Sequence, residues 1–347
     1  MDEKYTHKLE KIETELKRWL PDKPDASWLT NIFPGINGEI DALLIQSLTS
    51  PCKDLILRGG KRWRPLLMTL VCEILGAGDA ALPLIPLVEF SHNASLIHDD
   101  IEDNSVMRRG KPAIHIIYGA DTAINSGSFL YFLSLACIDA WAQTEANKAK
   151  VYLLWSNYLR KLHLGQAMDI YWHNNFDHIP SIDDYYVMCK LKTGCLARFA
   201  AELGALTAEI KGNVDIPTRH FGEAAEKLGL GFQILDDVKN LTTGIPGKKR
   251  GDDIVEGKKS LPLLMFLQGY PEKKDMVKNC FAAAKIKGID TPEVEELIQE
   301  MFSCGILANA EEKGRALLSE SRYSFLSDSF SGNESSNLLV GLIDFMR

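Results

Sequence analysis

Residues 92–104 read HNASLIHDDIEDN, and the rest of the chain is interpreted outward from this stretch. An apolar run at helical spacing precedes it, which predicts that its acidic residues lie on the last turns of a mostly buried helix. Asp99 and Asp103 are four positions apart and share one face of that helix, with Asp100 at its edge. Like charges at this spacing repel unless a cation neutralises them. Oxygen ligands without His or Cys partners suit Mg²⁺, which also retains water and phosphate oxygens.

A second acidic pair follows another apolar helical segment. Residues 233–240 read QILDDVKN, in which Asp236 and Asn240 can both offer an oxygen from one helix face. Either stretch alone is equally well explained as a solvated acidic helix end. Two helices that each end in paired carboxylates instead predict a cage for divalent ions around an anion, for which a diphosphate is the obvious candidate.

Composition restricts the class of protein. The chain has 347 residues, of which 46% are hydrophobic and 25% charged, as in an ordinary globular protein with a substantial core. A formal net charge of -8 argues against a nucleic-acid binder, which normally has a basic face. The seven scattered cysteines lack metal-binding spacing and are predicted to be buried thiols in a reducing compartment.

Neither a targeting signal nor a membrane span is predicted. The chain starts Met1–Asp2–Glu3–Lys4, without the basic-then-apolar order of a signal peptide. The most apolar stretches, Ala80–Phe90 and Phe129–Ile138, are shorter than the ~20 residues that a membrane helix requires. We therefore expect a cytoplasmic protein.

Helical patterns dominate the chain, and no strand ladder or fixed-period repeat is evident. We expect an all-α protein in which residues 1–347 form a single domain, an orthogonal or antiparallel helix bundle around a central apolar cavity. The motif-bearing core spans about 55–270, with peripheral helices in 1–50 and 271–347. A helix predicted over Asp121–Trp141 is apolar almost all round and is therefore placed in the centre.

Basic, glycine-containing segments accompany both acidic pairs. Residues 59–65 (GGKRWRP) place three cations just before a predicted helix start, and residues 108–111 (RRGK) follow the first pair. Residues 192–194 (KTG) interrupt a long helix, and residues 248–259 follow the second pair. Singly, such segments are more often solvated turns. Jointly, they predict one diphosphate held through metals and another held directly by Lys and Arg.

These motifs occur in the order found in all-trans polyprenyl diphosphate synthases, which the chain resembles, in particular those that make geranylgeranyl or longer products. Seven separated segments carry the resemblance: residues 59–65, 99–103, 108–111, 165–169 (GQAMD), 192–194, 233–240 and 256–262 (EGKKSLP). The resemblance implies the isoprenoid synthase type of helix bundle, Mg²⁺ as cofactor and a homodimer. It also implies head-to-tail, trans condensation of isopentenyl diphosphate with an allylic prenyl diphosphate.

The same resemblance implies roles for individual residues. Catalytic groups are expected at Asp99, Asp100, Asp103, Lys192, Asp236 and Asp237, with Mg²⁺ bound by Asp99, Asp103 and Asp236. Isopentenyl diphosphate is expected at Lys61, Arg64, His92 and Arg109. The allylic diphosphate is expected at Arg108, Lys192, Thr193, Gln233, Lys248 and Lys258. Asn240 stands where the family often has a third aspartate, so weaker metal binding is expected there.

Product length is expected to depend on residues one turn before the first acidic pair. Ala94 and Ser95 are small, whereas a bulky aromatic residue there gives short products in this family. Phe90 lies a further turn back and is expected to form a deeper floor. These residues predict a product of geranylgeranyl length or longer.

Two alternatives compete with the synthase interpretation. A class I terpene cyclase shares the metal-triggered ionisation, but the cations of residues 59–65 and 108–111 are required only by a second diphosphate. A non-catalytic helical subunit of a heteromeric prenyl synthase would be expected to have lost its acidic clusters, and this chain keeps both.

Overall fold

The computed structural model describes residues 3–36, 40–212, 216–244, 249–326 and 333–346. Within these ranges the regular structure is helical apart from one pair of two-residue strands, which confirms the all-α prediction. The helices of the first half are α1 (Glu3–Trp19), α2 (Ala26–Ile32), α3 (Ala42–Leu57), α4 (Trp63–Ile74), α5 (Ile85–Glu102), α6 (Ile114–Tyr118), α7 (Ala120–Leu133), α8 (Ala136–Asp139) and α9 (Glu145–Asn174). The strands are β1 (Met107–Arg108) and β2 (Lys111–Pro112).

The second half continues with helices alone. These are α10 (Ile182–Cys189), α11 (Cys195–Gly212), α12 (Thr218–Thr242), α13 (Asp252–Val255), α14 (Leu261–Gly269), α15 (Lys274–Lys287), α16 (Pro292–Ser303), α17 (Ile306–Phe325) and α18 (Glu334–Phe345). Short 3-10 turns cover Gly78–Leu84 and Pro271–Lys273, and a π-helical turn covers Lys190–Gly194.

Contacts divide the chain into two compact units. Unit 1 comprises Met1–Leu159, Phe199–Phe221 and Phe330–Leu339. Unit 2 comprises Arg160–Arg198, Gly222–Ser329 and Val340–Arg347. The sequence interpretation of a single domain stays a prediction.

Helix α5 is the core helix of unit 1 and packs against α1, α3, α4 and α7. It approaches α7 so closely at Gly127 that an added Cβ would lie 2.7 Å from Cε1 of His98. The segment Gly78–Glu102 is long and apolar enough to cross a membrane, but 67% of its most apolar window is buried inside the fold. A core helix passes the same test of length and composition, so this segment is weak evidence for a membrane span.

The single central helix predicted over Asp121–Trp141 is wrong. Helix α7 ends at Leu133, and a turn at Ser134 and Leu135 separates it from α8. Ser134 Oγ donates to the Tyr131 carbonyl at this turn. One face of α7 is also uncovered, since Ile124 is 48% and Phe132 66% exposed. The apolar composition of this segment therefore reflects a buried face and an exposed apolar face on the same helix.

Unit 2 contains two apolar clusters that share α14. One cluster joins α10, α12 and α14, and Tyr185 is its largest fully buried side chain. The other cluster joins α14, α15 and α16 around Phe266 and Phe281. Helix α10 begins with a capping box, in which Ser181 Oγ accepts from the Asp184 amide and the Asp184 carboxylate accepts from the Ser181 amide.

All seven cysteines carry free thiols, and six of them are buried. Burial raises the pKa of Cys52 to about 12 and that of Cys72 to about 11. These thiols are packed as small hydrophobic groups, as predicted, and stay protonated near neutral pH.

Candidate active site

The first acidic motif lies at the carboxyl end of α5, in unit 1. Asp103 is the C-cap residue, and its amide donates to the Asp99 carbonyl, so the helical turn that aligns the two side chains is complete. The Asp99 side chain is 16% exposed, whereas the Asp100 side chain is fully buried. Arg108 donates to Asp100 Oδ1 from Nε at 2.8 Å and from Nη2 at 2.5 Å, and its Nη2 lies 3.4 Å from Asp99 Oδ2. Asp100 is therefore anchored by Arg108.

A tight hairpin presents Arg108 and Arg109. Strands β1 and β2 pair antiparallel, and the connecting residues Arg109 and Gly110 have φ values of 53° and 75°. Two positive φ values match a two-residue type I′ turn, in which glycine is suited to the second position and arginine is held in a sparsely populated conformation. Arg58 Nη1 donates to the carbonyls of Arg108 and Pro112, so the end of α3 fixes the hairpin.

The three cations of the GGKRWRP segment differ in exposure to solvent. Lys61 is exposed, whereas Arg64 is buried and lies over the Trp63 ring, with 4.3 Å between its guanidinium carbon and the ring centroid. Arg64 Nη1 lies 3.4 Å from Nε2 of His92. Burial and then the charges of Arg64 and other nearby arginines hold the pKa of His92 well below its usual value, so this imidazole is neutral at pH 7.

In unit 2, the KTG segment forms the π-helical turn between α10 and α11. Lys192 Nζ donates to Asp169 Oδ2 on α9 at 2.5 Å, and Thr193 Oγ1 donates to Gln233 Oε1 on α12 at 2.9 Å. Gly165 lies directly against this turn, because an added Cβ would be 2.5 Å from the Lys192 amide nitrogen. A π-turn often marks a functional site, because it re-aims the side chains that it carries.

The second acidic motif separates its two aspartates. Asp236 is half-buried, whereas Asp237 is buried and accepts hydrogen bonds from Tyr185 Oη at 2.7 Å, the Leu261 amide at 3.1 Å and Gln233 Nε2 at 2.9 Å. Burial, with a smaller contribution from the Asp253 charge, raises the pKa of Asp237 to about 7 despite these donors. Asp237 therefore links α10, α12 and the start of α14.

Asn240 links the second motif to the basic loop after it. Its side-chain Oδ1 accepts from the Asp253 amide at 3.3 Å, and its backbone carbonyl accepts from the Gly251 amide at 2.8 Å. Its Nδ2 is buried and has no hydrogen-bond partner among the residues that the structure describes. The amide oxygen expected to face a metal is thus already engaged, and the geometry favours a linking role for Asn240.

The remaining predicted residues are placed as follows. Lys258 pairs with Glu256 at 2.7 Å, and its amide donates to the Asp253 carbonyl. Lys248 lies outside the described residues. In the predicted chain-length pocket, Phe90 and Ala94 are fully buried, and Ser95 is half-buried with its Oγ donating to the His92 carbonyl at 2.8 Å.

Sequence reasoning missed supporting residues that the structure shows. Asp169 belongs to the GQAMD motif, but the sequence does not indicate that it pairs with Lys192. Tyr185 gave no signal, because a tyrosine in an apolar helix resembles any core aromatic residue. The sequence does not distinguish Arg62 from its neighbouring cations, although its exposure in the structure is only 4%.

Divalent metal is compatible with the carboxylates present, although no group of three or more His, Cys, Asp or Glu side chains able to hold an ion occurs in the described part of the chain. Asp99 and Asp103 offer hard oxygen donors from one helix face, as Mg²⁺ or another hard cation prefers. One or two carboxylates, completed by water and phosphate oxygens, is the usual protein share of a Mg²⁺ site.

Comparison with known proteins gives consistent matches over most of the chain. Residues 45–301 match the family model described as polyprenyl synthetase. The chain is 34% identical over 277 residues to the short chain isoprenyl diphosphate synthase of Methanocaldococcus jannaschii, covering 78% of this chain and 81% of that protein. It is 31% identical over 302 residues to the geranylfarnesyl diphosphate synthase of Aeropyrum pernix, covering 84% and 91%.

A solved structure extends the match to the fold. Geranylgeranyl pyrophosphate synthetase from Pyrococcus horikoshii superposes with a TM-score of 0.82 at 25% identity, covering 99% of this chain and 96% of that one. The chain therefore belongs to the polyprenyl synthetase family.

Proposed function

We propose that the protein condenses isopentenyl diphosphate with an allylic prenyl diphosphate, head to tail and in trans, to give a longer all-trans prenyl diphosphate and diphosphate. Relatives that cover most of the chain are synthases of geranylgeranyl, geranylfarnesyl or short-chain isoprenyl diphosphates. The observation that carries the proposal is that one chain contains both acidic motifs and, separately, a group of buried and half-buried arginines around neutral His92. A reaction of two diphosphates requires both kinds of group.

Asp99, Asp103 and Asp236 are the residues proposed to hold Mg²⁺. Their carboxylates supply hard oxygen donors, while the neighbouring Asp100 and Asp237 are engaged with protein donors. When bound, the metal neutralises charge that develops on the leaving diphosphate. Arg108 contributes a cation beside the first pair and keeps Asp100 in place.

The allylic diphosphate is assigned to Lys192, Thr193, Gln233, Lys248, Lys258 and Arg108. Lys192 is oriented by Asp169, and the Thr193 hydroxyl by Gln233, so these groups are preorganised before substrate arrives. The allylic C–O bond breaks with its electron pair leaving on diphosphate, and Lys and Arg stabilise that charge.

Isopentenyl diphosphate is assigned to Lys61, Arg64, His92 and Arg109. A neutral imidazole can donate one hydrogen bond to a phosphate oxygen without changing the charge of the pocket. The anchored double bond attacks the allylic carbon, a carbon–carbon bond forms, and a proton is then lost to restore the alkene. We assign the released diphosphate as the base that takes this proton.

We assign product length and assembly to residues of unit 1. Ala94 and Ser95 leave room for a product of geranylgeranyl length or longer, with Phe90 as a deeper floor. The exposed apolar side chains of α3, α6 and α7 form a face suited to a second copy of the chain: Leu43, Leu44, Ile116, Ile117, Ile124 and Phe132. If a homodimer uses this face, Phe132→Glu should shift the molar mass measured by light scattering toward the monomer.

The test is mass analysis of products formed from isopentenyl diphosphate, each allylic starter and Mg²⁺. We expect elongated prenyl diphosphates only when both substrates are present, and loss of product in Asp99→Asn but not in Asp79→Asn, a surface aspartate paired with Lys11. A cyclase would instead convert the allylic diphosphate alone into a hydrocarbon or alcohol. Absence of any product from wild-type protein with both substrates would favour the non-catalytic subunit.

A further inference from the structure

Arg62 is buried and Arg109 half-buried in unit 1, and their partners differ in charge. Arg62 Nε donates to Glu13 Oε1 at 2.7 Å, and its Nη1 donates to Glu89 Oε1 at 2.7 Å. Arg109 Nη1 donates only to neutral oxygens, the Leu55 carbonyl at 3.0 Å and Asn93 Oδ1 at 3.1 Å. Among the described residues Arg109 forms no ion pair, so its orientation is set while its charge remains for a ligand.

The backbone places Arg62 where it can take both carboxylates. Arg62 has a φ of 47°, in the left-handed region, and its side chain is buried, whereas the adjacent Lys61 is exposed. Its Nη2 donates to the Ile56 carbonyl at 2.6 Å, so all three nitrogens of the guanidinium are engaged. A strained conformation that is fully satisfied in this way is typical of a residue with a positioning role.

Glu89 also fixes which end of the Asn93 amide faces Arg109. Asn93 is fully buried, and its Nδ2 donates to Glu89 Oε1 at 2.9 Å and to the Glu89 carbonyl at 2.7 Å. With the amino group held by these two acceptors, the amide oxygen must face Arg109. A flipped amide would place N–H groups against the guanidinium.

These contacts form a continuous chain of side chains from the amino-terminal helix to the turn of the hairpin. We call this set the positioning chain: Glu13, Arg62, Glu89 and Asn93. Burial lowers the pKa of Arg109 to about 10; the charge of Glu89 opposes this shift and the charges of neighbouring arginines add to it, as expected for a largely desolvated cation without a carboxylate in contact. Arg109 also lies against Gly60, where an added Cβ would be 3.1 Å from Nη2.

We propose that the positioning chain holds Arg109 ready for the diphosphate of isopentenyl diphosphate without neutralising it, and that α1 thereby supports this binding site. The inference rests on the proposed function, because it uses the assignment of Arg109 to that substrate. Glu13 and Glu89 form ion pairs with Arg62, whereas Arg109 donates to the neutral oxygens of Leu55 and Asn93. A site built in this way keeps the full charge of one arginine for an anion.

The test compares three single variants. Asn93→Asp keeps the size of the side chain but places a carboxylate against Arg109, so KM for isopentenyl diphosphate should rise roughly 10- to 100-fold while KM for the allylic substrate stays within about twofold. Glu13→Gln removes the negative charge of one of the two carboxylate partners of Arg62. The Glu13 side chain is 34% exposed and tolerant of change, and the substitution should raise KM for isopentenyl diphosphate several-fold. Glu10→Gln, on α1 but 72% exposed and away from the positioning chain, should change neither KM.

Melting temperature and direct calorimetric titration of isopentenyl diphosphate are measured on the same proteins. If Asn93→Asp does not fold, the Glu13 and Glu10 pair still decides the outcome. The inference is overturned if Glu13→Gln leaves KM and the dissociation constant for isopentenyl diphosphate unchanged. It is equally overturned if KM for both substrates rises together with a fall in melting temperature, which is the result of a merely structural role. Wild-type protein that binds isopentenyl diphosphate but makes no product would contradict the proposed function instead.

Discussion

The π-turn that carries Lys192 is enclosed by glycines, and Gly165→Ala tests how much this enclosure matters. A Cβ on Gly165 would lie 2.5 Å from the Lys192 amide nitrogen, 2.7 Å from the Leu191 carbonyl carbon and 2.8 Å from Leu191 Cβ. Two of these atoms belong to the backbone and cannot move as a flexible side chain would. On its other side the turn meets Gly229, where an added Cβ would lie 2.9 Å from Cα of Gly194.

Two opposing contributions set the magnitude. Alanine is favoured over glycine inside a helix by about 1 kcal/mol. Overpacking of a closely packed contact costs about 1–3 kcal/mol, and the upper end applies because the turn cannot retreat. We therefore expect Gly165→Ala to lower the free energy of unfolding by about 2 kcal/mol. Displacement of Lys192 from Asp169 should also raise KM for the allylic diphosphate.

The assay is urea unfolding monitored by tryptophan fluorescence, together with KM for both substrates. Gly341→Ala is the matched control, because Gly341 lies in α18 with no atom within 4 Å of an added Cβ. That variant should gain about 0.5–1 kcal/mol and keep wild-type kinetics. A Gly165→Ala protein as stable as wild type, with unchanged KM for the allylic substrate, would refute the reasoning.

Three further changes probe other parts of the molecule. Burial lowers the pKa of Lys259 from 10.5 to about 8. Between these pH values the unfolded state binds more protons than the folded state, so the free energy of unfolding should rise with pH from about 8 to 10.5. Urea unfolding at several pH values should show that Lys259→Met is more stable than wild type at pH 7 and lacks this rise. Asn240→Asp replaces the unpartnered Nδ2 with a second carboxylate oxygen, so it should lower, several-fold, the Mg²⁺ concentration that gives half-maximal rate in a metal titration of activity. The same change should cost about 1–3 kcal/mol of metal-free stability, because it buries a charge near Asp237 and Asp253. Ala94→Tyr should shorten the product as measured by mass spectrometry, and an unchanged product distribution would contradict the assignment of the chain-length pocket.

The spacing of acidic residues predicted the local geometry well. The four-residue separation of Asp99 and Asp103 required only that the helix continue to its C-cap, and the structure confirms this turn. The KTG interruption was likewise predicted, because a glycine beside a cation and a hydroxyl is unusual in a helix, and it became the π-turn. Local rules suffice where the chemistry depends on neighbours in sequence.

Long-range partners could not be predicted in the same way. Nothing in GGKRWRP distinguishes Arg62 from its neighbouring cations, since its role follows from a left-handed φ and from glutamates 49 positions before it and 27 after it. The error over Asp121–Trp141 has a similar origin. Composition shows that a helix is apolar, but it does not show whether its own chain covers every side.

The two aspartate pairs have the same arrangement, a half-buried aspartate followed by a buried one, and helix geometry accounts for it. Adjacent residues on an α-helix point about 100° apart, so the two carboxylates of a pair meet different surroundings, although Arg108 Nη2 lies within reach of both Asp99 and Asp100. In each pair the second aspartate is the buried one: Asp100 is held by Arg108, and Asp237 by Tyr185 and the amide that starts α14. The first aspartate of each pair, Asp99 or Asp236, is half-buried. The proposed metal-binding role therefore falls on the more exposed carboxylate of each pair, whose position depends on the anchoring of the buried one.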